Sequence, residues 1–318
     1  MDGTLNAESV DLSIIIVSWN VRQLLRHCLQ SIAANRGDLR LQVIVVDSAS
    51  ADGTPDMVRE QFSWVHLIAC EDNVGFPRGN NIGLKEARGR YILLLNPDTR
   101  VLGNALTAMT HYLQAHPAVG VVGPQLLYAD GEIQSSRRRF PTLLTAFFES
   151  TWLEPWAPRS VLNYYRVGEL GADFIQDVDW VMGAALMTRQ EIVQQVGPLD
   201  EAYFMYSEEL DWCRRIRQAG WRVVYLPSAQ VIHYEGKSSE QAVTARHINF
   251  QRAKLRYYRK YHGRLICTLL RLYLLLNYIW QLGLEAVKYL LGHRRALRRQ
   301  RVRAYWDVLR SGLRPAGY

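Results

Sequence analysis

The sequence predicts an α/β protein with a doubly wound, mostly parallel sheet and a helical, basic, amphipathic C-terminal extension. Leu12–Ser18, Leu41–Val46 and Tyr91–Leu95 are short apolar runs without charged residues, a composition typical of strands buried on both faces. Segments with helical periodicity separate them, and this alternation favours parallel strands joined by right-handed crossovers. With 318 residues, 48% hydrophobic and 21% charged, the chain can form one large domain and an appendage.

Strands and helices alternate regularly through the first hundred residues. Asn20 and Thr54 stand where helix N-caps are expected, and Pro55 follows at the first helical position. The predicted elements are strands over 12–18, 41–46, 64–69 and 91–95, with helices over 21–34, from 54, and from a glycine-containing loop to about 88.

The next part of the chain is less regular. Residues 125–175 show no periodicity and are interpreted as an elaboration on the acceptor side of a site. Gly183 interrupts an apolar run, which predicts a close approach of a ligand or of backbone. The predicted elements are a helix over 102–116, strands over 119–122 and 178–188, a helix that stops at Gly220, and a strand before His233.

The positive charge is concentrated in the C-terminal part of the chain. The net charge is +8, and the segment from Arg252 onward holds 16 Lys and Arg against 2 Asp and Glu, so the remainder carries −6. Residues 265–292 are apolar, but their longest charge-free run is the 13 residues 272–284, whereas a spanning helix needs about 20. The pattern favours a helix lying on an anionic leaflet, peripheral or monotopic.

Two other interpretations of this tail stay open. The apolar segment could span the membrane, or it could form a helical hairpin that packs on the catalytic domain or on a second subunit of a homo-oligomer. The basic run 293–303 lacks any nucleic-acid-binding motif, so no nucleic-acid partner is predicted.

Cysteine usage and the N-terminus both indicate the cytoplasm. The four cysteines are scattered without a Cys-x-x-Cys pair, which argues against a zinc site and against a disulfide framework. The first eleven residues are polar and acidic and do not resemble a secretory signal. Together with the basic tail, they predict a protein at the cytoplasmic face of the plasma membrane.

Polar residues fall where predicted strands end. Asp47 and Asp98 directly follow the second and fourth strands, and ligands of open α/β sheets bind outside the carboxyl ends of the strands. A carboxylate there suits a divalent cation held against a phosphate. Plain structural interpretations remain: Asp98 could belong to a turn, and Asp211 could form an ion pair with Arg215 four residues on. Taken together, the positions favour a ligand site.

These residues lie in six ordered motifs that resemble one known family. Residues 12–233 are similar to a family-two glycosyltransferase of the GT-A, Rossmann-like fold, and most similar to its bacterial rhamnosyltransferase-like branch. The motifs are VSWN (17–20), VVDSASADGT (45–54), NVGFPRGNN (73–81), LLLNPDT (93–99), SEELDWCRRIRQAGW (207–221) and HYEGKSS (233–239).

The resemblance implies the roles of the site residues. Asp98 and His233 would hold a divalent cation, Mg²⁺ or Mn²⁺, that neutralises the diphosphate leaving group. Glu209 matches the general base, with Glu208 and Asp211 as neighbours, and clustering of these carboxyl groups would raise at least one pKa toward neutrality. The donor nucleotide-sugar would contact Ser18, Asn20, Asp47, Ser50, Gly75, Gly79, Asn80, Asn96 and Gly183.

Two departures from the family pattern affect the site. Asn96 replaces the first acid of the usual Asp-x-Asp motif, as in this branch, so the cation has fewer protein carboxylates. Glu209 stands where Asp is commoner, which leaves open which acid of 208–211 reaches the acceptor hydroxyl. The Gln-x-x-Arg-Trp motif of processive synthases is not found, so a single transfer is predicted.

We therefore expect residues 1–240 to form an inverting, metal-dependent glycosyltransferase domain and residues 241–318 a helical membrane-associating region. The donor is expected to be dTDP-rhamnose or a UDP-linked sugar, and the acceptor a glycan or polyprenyl-linked glycan. One alternative is a catalytically silent relative that recruits partners to the membrane. Another is a sugar nucleotidyltransferase, although the expected glycine-rich basic loop after the first strand is absent.

Overall fold

The computed structural model describes residues 10–234 and 243–314, and they divide into two compact units. Unit 1 comprises residues 1–140, 169–200 and 209–238, and unit 2 comprises residues 141–168, 201–208 and 239–318. By sequence, unit 1 holds 19 Lys and Arg against 23 Asp and Glu, and unit 2 holds 19 against 7. The net charges are therefore −4 and +12, so the basicity belongs to unit 2.

Unit 1 is built on a sheet whose first strands have the predicted bounds or nearly so. Its helices are α1 (Arg22–Ala34), α2 (Thr54–Gln61), α3 (Phe76–Glu86), α4 (Ala105–Ala115) and α7 (Gln190–Val196), and α8 (Glu208–Gln218) begins at its boundary with unit 2. Its strands are β1 (Leu12–Ser18), β2 (Leu41–Asp47), β3 (Val65–Ala69), β4 (Tyr91–Leu95), β5 (Thr99–Leu102), β6 (Val119–Leu127), β7 (Ile133–Gln134), β8 (Arg137–Arg138), β9 (Gln176–Val178), β10 (Trp180–Val181), β11 (Ala185–Arg189) and β12 (Arg222–His233).

The sheet is mostly parallel, as predicted. In the described part of the chain its strands run in the order β3-β2-β1-β4-β11-β6-β12-β5, with β7 on β6 and β9 on β12, while β8 and β10 pair separately. β1, β2, β3 and β4 are parallel, and so are β6 and β12. β11 lies between β4 and β6 and is antiparallel to both. All residues of β1 and β4 are buried because helices cover both faces.

Three local predictions are wrong. Val21, not Asn20, occupies the N-cap of α1, and Asn20 has a left-handed backbone with φ 51°. Thr54 is already helical, and Gly53 is the N-cap of α2. Residues 178–188 do not form one strand, since they are divided among β9, β10 and β11, and a turn that includes Gly183 precedes β11.

Unit 2 is helical. It contains α5 (Leu143–Phe148), a 3₁₀ turn (Glu154–Trp156), α6 (Arg159–Arg166), α9 (Val243–Leu290) and α10 (Arg295–Ser311). Gly263 has φ 87° and divides α9 into two helical segments. α10 returns along the second segment, where Arg298 donates to both carboxylate oxygens of Glu285 at 2.7 and 2.9 Å.

The apolar tail segment is therefore helical, as predicted. Among the described residues, one helical stretch, Thr244–Leu290, is long and apolar enough to cross a membrane by length and composition alone. The predictions for the N-terminal nine residues and for 235–239 of the HYEGKSS motif lie outside the described residues.

Candidate active site

The predicted site residues of unit 1 gather at one edge of the sheet. β1, β2, β4 and β12 end there, because β12 has the same direction as β4 through the two antiparallel pairings of β11. The antiparallel strands β5 and β11 start at this edge, next to the ends of β12 and β4. The sheet topology therefore brings residues that are more than 200 positions apart in sequence to one edge.

Asp47 lies at the end of β2 and is only 1% exposed. Its Oδ2 accepts a hydrogen bond of 2.9 Å from the backbone N–H of Ser50, while its Oδ1 is buried and has no partner among the described residues. Ser18 is its neighbour in β1, and the Ser18 hydroxyl is likewise buried without a partner. Burial raises the pKa of Asp47. A buried carboxylate oxygen without a donor fits a ligand that brings an N–H group.

Asn20 and Ser50 hold two loops of the edge together. The backbone N–H of Asn20 donates to Ser50 Oγ at 2.8 Å, and Asn20 Oδ1 accepts from the backbone N–H of Ala51 at 2.7 Å. Asp52 extends this contact by accepting from the backbone N–H of Arg22 at 2.8 Å. These bonds fix the loop that carries Asp47, and the predicted contacts of Asn20 and Ser50 with a ligand stay predictions.

The glycine loop places α3 tightly against β1. Gly75 precedes the helix with φ 75°, a conformation that favours glycine. A Cβ at Gly79 would come within 2.8 Å of the Val17 side chain, so this glycine is required for packing. Asn80 is fully buried, and its Nδ2 donates to Phe76 O at 2.9 Å while its Oδ1 has no partner among the described residues. Of these residues, Asn80 has the atom best suited to a ligand.

Asp98 and His233 form a buried pair, and each is 4% exposed. Asp98 Oδ1 lies 3.5 Å from His233 Nε2, and the backbone N–H of Tyr234 donates to Asp98 O at 2.9 Å. His233 Nδ1 lies 2.8 Å from Gln134 Oε1. Because an amide oxygen only accepts, Nδ1 carries the hydrogen in this arrangement, and in the neutral imidazole the Nε2 lone pair is left beside Asp98.

This pair fits a divalent cation. A carboxylate oxygen and an imidazole lone pair stand side by side. The carboxylate suits Mg²⁺ and Mn²⁺, whereas an imidazole nitrogen suits transition-metal ions, so the pair favours Mn²⁺ over Mg²⁺. No group of three or more His, Cys, Asp or Glu side chains that could hold a metal occurs in the residues that the structure describes. A cation at Asp98 and His233 would therefore take its other ligands from a substrate and from water.

Glu209 is held against the turn that precedes β11. The backbone N–H of Gly183 donates to Glu209 Oε1 at 3.5 Å, and a Cβ at Gly183 would lie 3.4 Å from Glu209 Cβ, in ordinary contact. The neighbouring Ala184 O accepts a 2.9 Å hydrogen bond from the backbone N–H of Asn96. Gly183 thus connects Glu209, on a helix, with the strand end that carries Asn96 and Asp98.

The two other predicted acids have different environments. Asp211 is fully buried, and its Oδ2 accepts from Arg215 Nε at 3.0 Å. Arg215 also donates to the carbonyl groups of Val196 and Pro198, so this pair anchors α8 to the chain before it. Glu208 is buried at the start of α8. The ion-pair interpretation of Asp211 is confirmed, and the predicted rise of a carboxyl pKa in this cluster stays a prediction.

Two residues of the edge have no counterpart in the sequence prediction. Gln134 reaches His233 from β7, a strand of only two residues that gives no periodic signal. Ser48 Oγ accepts from the backbone N–H of Val74 at 2.9 Å and thereby ties the Asp47 loop to the glycine loop. Ser48 follows the Asp47 strand directly, so its position at the edge could be inferred, whereas nothing in the sequence pairs Gln134 with His233.

Known proteins are similar to this chain in sequence. Two family profiles match, "Glycosyl transferase family 2" over residues 13–168 and "Glycosyl transferase family group 2" over residues 91–306. The chain is 30% identical over 211 residues to the N-acetylglucosaminyl-diphospho-decaprenol L-rhamnosyltransferase of Mycobacterium tuberculosis, covering 63% of this chain and 68% of that protein. It is 27% identical over 232 residues to rhamnosyltransferase WbbL of Escherichia coli, covering 70% and 82% respectively.

A solved structure shares the fold. The mannosyltransferase PcManGT from Pyrobaculum calidifontis, in complex with GDP-Man and Mn²⁺, matches with a TM-score of 0.55 at 19% identity, over 95% of this chain and 85% of that one. At this identity the similarity concerns the fold alone, and it confirms the predicted GT-A arrangement.

Proposed function

Because the chain belongs to glycosyl transferase family 2 and is a glycosyltransferase, we propose that it transfers rhamnose from dTDP-rhamnose to a lipid-linked glycan. The transfer inverts the anomeric configuration, adds a single sugar and depends on a divalent cation. It takes place at the cytoplasmic face of the plasma membrane. Residues 1–240 are proposed to hold the catalytic machinery, and residues 241–318 to associate with the membrane.

The observation that carries this proposal is the buried Oδ1 of Asp47, which has no partner in the described part of the chain and lies at the same sheet edge as Asp98 and His233, near Glu209. Thymine and uracil present an N3–H donor, which a carboxylate oxygen accepts. Guanine also carries N–H donors, on N1 and on its amino group, so Asp47 supports a base with an N–H donor, and the choice of a pyrimidine is proposed from the family resemblance of residues 45–54. The adjacent Ser18 hydroxyl is available to a second polar group of the base.

Asp98 and His233 hold the cation in this proposal. A divalent cation bound there would stabilise the negative charge that develops on the diphosphate as it leaves. Gln134 fixes the His233 ring through Nδ1, which would leave Nε2 available to a cation. Asn96 carries no charge, so the donor diphosphate would have to supply anionic oxygens that a second aspartate could otherwise provide.

Glu209 is the proposed general base. It is half-buried and lies against Gly183, whereas Asp211 is fully buried in its pair with Arg215. It takes the proton of the acceptor hydroxyl, whose oxygen then bonds to the anomeric carbon on the face opposite the diphosphate. The bond between the anomeric carbon and the diphosphate oxygen breaks, and the nucleoside diphosphate leaves. The sugar is inverted and the proton stays on Glu209.

The sugar and the acceptor are proposed from the relatives. Two of them are rhamnosyltransferases by name, and the name of the mycobacterial relative specifies a sugar linked through a diphosphate to decaprenol. A polyprenyl anchor keeps an acceptor at the membrane surface. This agrees with the net charge of +12 on the helical unit, since the cytoplasmic leaflet is anionic.

The test measures binding of dTDP-rhamnose, UDP-N-acetylglucosamine and GDP-mannose to the purified protein by calorimetry, with Mn²⁺ and with EDTA. Transfer to polyprenyl-diphosphate-linked N-acetylglucosamine is followed by mass spectrometry. We expect metal-dependent binding of the pyrimidine nucleotides and transfer of rhamnose. Failure of every pyrimidine nucleotide to bind would refute the proposal, and binding without donor hydrolysis or transfer would identify a silent relative.

Two variants make the test specific. Asp98→Ala should abolish metal-dependent transfer while the circular dichroism spectrum is retained. Asp56→Ala is the matched control, because it removes an exposed carboxylate of unit 1 whose ion pair with Arg59 contributes little. Full turnover by Asp98→Ala, or equal losses in both variants, would contradict the assigned role of Asp98.

A further inference from the structure

The second segment of α9 presents a long apolar face to solvent. Six side chains on it are each more than half exposed and recur at helical spacing: Leu265, Leu269, Leu272, Leu276, Ile279 and Val287. The remaining positions on this face between residues 265 and 287 carry no charged side chain. At 1.5 Å per residue the face is about 33 Å long. Monomeric soluble proteins rarely expose an uninterrupted apolar surface of this length.

The opposite face of the same segment is already occupied within unit 2. Arg271 Nε donates to Gly312 O at 2.6 Å, and Asn277 Oδ1 accepts from the backbone N–H of Trp152 at 3.2 Å. Glu285 is paired with Arg298 of α10. The charged and amide groups of the helix are therefore satisfied inside the unit. A helix with one apolar face and an occupied polar face is typical of helices that lie along a membrane surface.

The apolar surface continues onto residues that are distant in sequence. Phe147 of α5 stacks on Tyr273 with ring centroids 4.6 Å apart, and Trp152 lies 5.9 Å from Trp280. On α5, Leu143, Leu144 and Phe147 are all exposed, and Trp156 follows in the 3₁₀ turn, two-thirds exposed. Tryptophan and tyrosine are the residues enriched where hydrocarbon meets headgroups.

Cations flank the apolar face at both ends. Arg264 is exposed immediately before it, and Arg294 and Arg295 are exposed after it. Long basic side chains at such positions keep their charges at headgroup level while their stems cover apolar surface. The net charge of +12 on unit 2 disfavours a second copy of the chain as the partner and favours an anionic lipid surface.

We propose that α5, the 3₁₀ turn and the second segment of α9 together form one membrane-binding surface, which inserts into an anionic leaflet at the level of the headgroups. Residues 143–156 thus bind lipid. The sequence had suggested a different role for 125–175, namely acceptor recognition. The inference rests on the proposed function in one respect, since a lipid-linked acceptor gives the surface its purpose.

The experiment is co-flotation of the full chain with vesicles of phosphatidylcholine alone or with added phosphatidylglycerol, without donor or acceptor. Leu272→Glu/Leu276→Glu changes the α9 face, and Leu143→Glu/Leu144→Glu changes α5. Two exposed leucines contribute enough buried apolar area for each double variant to bind vesicles about 100-fold more weakly. The matched control is Phe174→Glu/Ile175→Glu, which adds the same charges at two exposed apolar residues of unit 1.

We expect the wild type and the control to float with anionic vesicles, and both unit 2 variants to stay in solution. Flotation of the α5 variant with wild-type affinity would overturn the composite surface. Absence of flotation by the wild type, with a dimer in light scattering that the α9 variant dissociates, would identify a self-association face instead. Binding of dTDP-rhamnose in solution, measured on the same samples, separates these outcomes from failure of the proposed function. It also shows whether each variant is folded.

Discussion

Replacing Asp47 by asparagine tests the nucleotide pocket at its most specific atom. The change keeps the shape of the side chain and an oxygen that can accept from the backbone N–H of Ser50, as Oδ2 now does at 2.9 Å. It puts an amide NH₂ where the buried, unpartnered Oδ1 stands. That NH₂ would meet the N3–H of thymine donor to donor, so the hydrogen bond to the base is lost.

The size of the loss follows from the kind of bond. A hydrogen bond to a charged group contributes about 1.5–3 kcal/mol, so the affinity for dTDP should fall about 10- to 150-fold. Burial raises the pKa of Asp47 above its ordinary value of 3.8. The ionised form is the stronger acceptor for the N–H of the base, so the wild-type affinity should fall as the pH drops through that raised pKa. The asparagine variant should show no such step.

Asp47→Asn should affect the stability of the protein much less than it affects dTDP affinity. A carboxyl group whose folded-state pKa is raised destabilises the ionised folded protein at neutral pH, and this cost disappears as the pH falls. Asparagine removes the cost and leaves an amide without a partner, so the melting temperature should change little. A variant that binds dTDP poorly and melts normally would show that the effect lies in the site.

Asp52 provides a control on the same loop, because its pKa is shifted in the opposite direction to that of Asp47. Burial alone would raise its pKa, but hydrogen bonds from Thr54 and Arg22 outweigh burial and lower it. Asp52→Asn should therefore reduce stability at neutral pH, with the difference vanishing on acidification through the lowered pKa. Because the Asp52 charge adds to the rise of the Asp47 pKa, the pH step in dTDP binding should persist in this variant but move to lower pH. Equal dTDP affinity of wild type and Asp47→Asn, measured by calorimetry at neutral pH, would refute the pocket.

Three further predictions concern the base, the cation and the packing of the sheet. Glu209→Gln should lower kcat by about 10²- to 10⁴-fold with little change in donor KM, and an unchanged kcat would assign the base elsewhere. Gln134→Leu should weaken Mn²⁺ binding about 10- to 100-fold by freeing the His233 ring, as measured by electron paramagnetic resonance, with dTDP affinity in EDTA as the control. Gly83→Val should lower the free energy of unfolding by about 1–3 kcal/mol, because a Cβ at this position would come within 2.5 Å of the Ile15 side chain. An unshifted midpoint of urea unfolding would contradict this.

The strands that build the edge were predictable because each one is an apolar run whose two ends can be read from the neighbouring residues alone. β1 and β4 have the predicted bounds, since an uninterrupted apolar run flanked by polar residues can hardly form anything else. The direction of β11 was not predictable. An apolar strand looks the same in either direction, and the reversal depends on pairing with β4 and β6. β5 was missed because four residues carry no usable period.

Contacts between distant segments also limit how much of the site could be predicted from the sequence. Asp98 and His233 were placed together by motif, but the positioning of His233 by Gln134 depends on how β7 pairs with β6. The helices of 141–168 gave no sequence sign that they pack with the C-terminal helices. Their aromatic residues are spread irregularly, and only the folded unit shows Trp152 next to Trp280.

The net charges of the two units can be compared with the charges of the ligands proposed for each unit. A nucleoside diphosphate is anionic, yet unit 1 carries a net charge of −4 and presents carboxylates at the edge. In the proposed function the base donates to Asp47, and a cation at Asp98 would offset the diphosphate charge. An anionic leaflet would repel this unit, so the proposed membrane attachment needs positive charge elsewhere in the chain. The +12 of unit 2 would supply it, so donor binding and membrane binding should be separable by mutation.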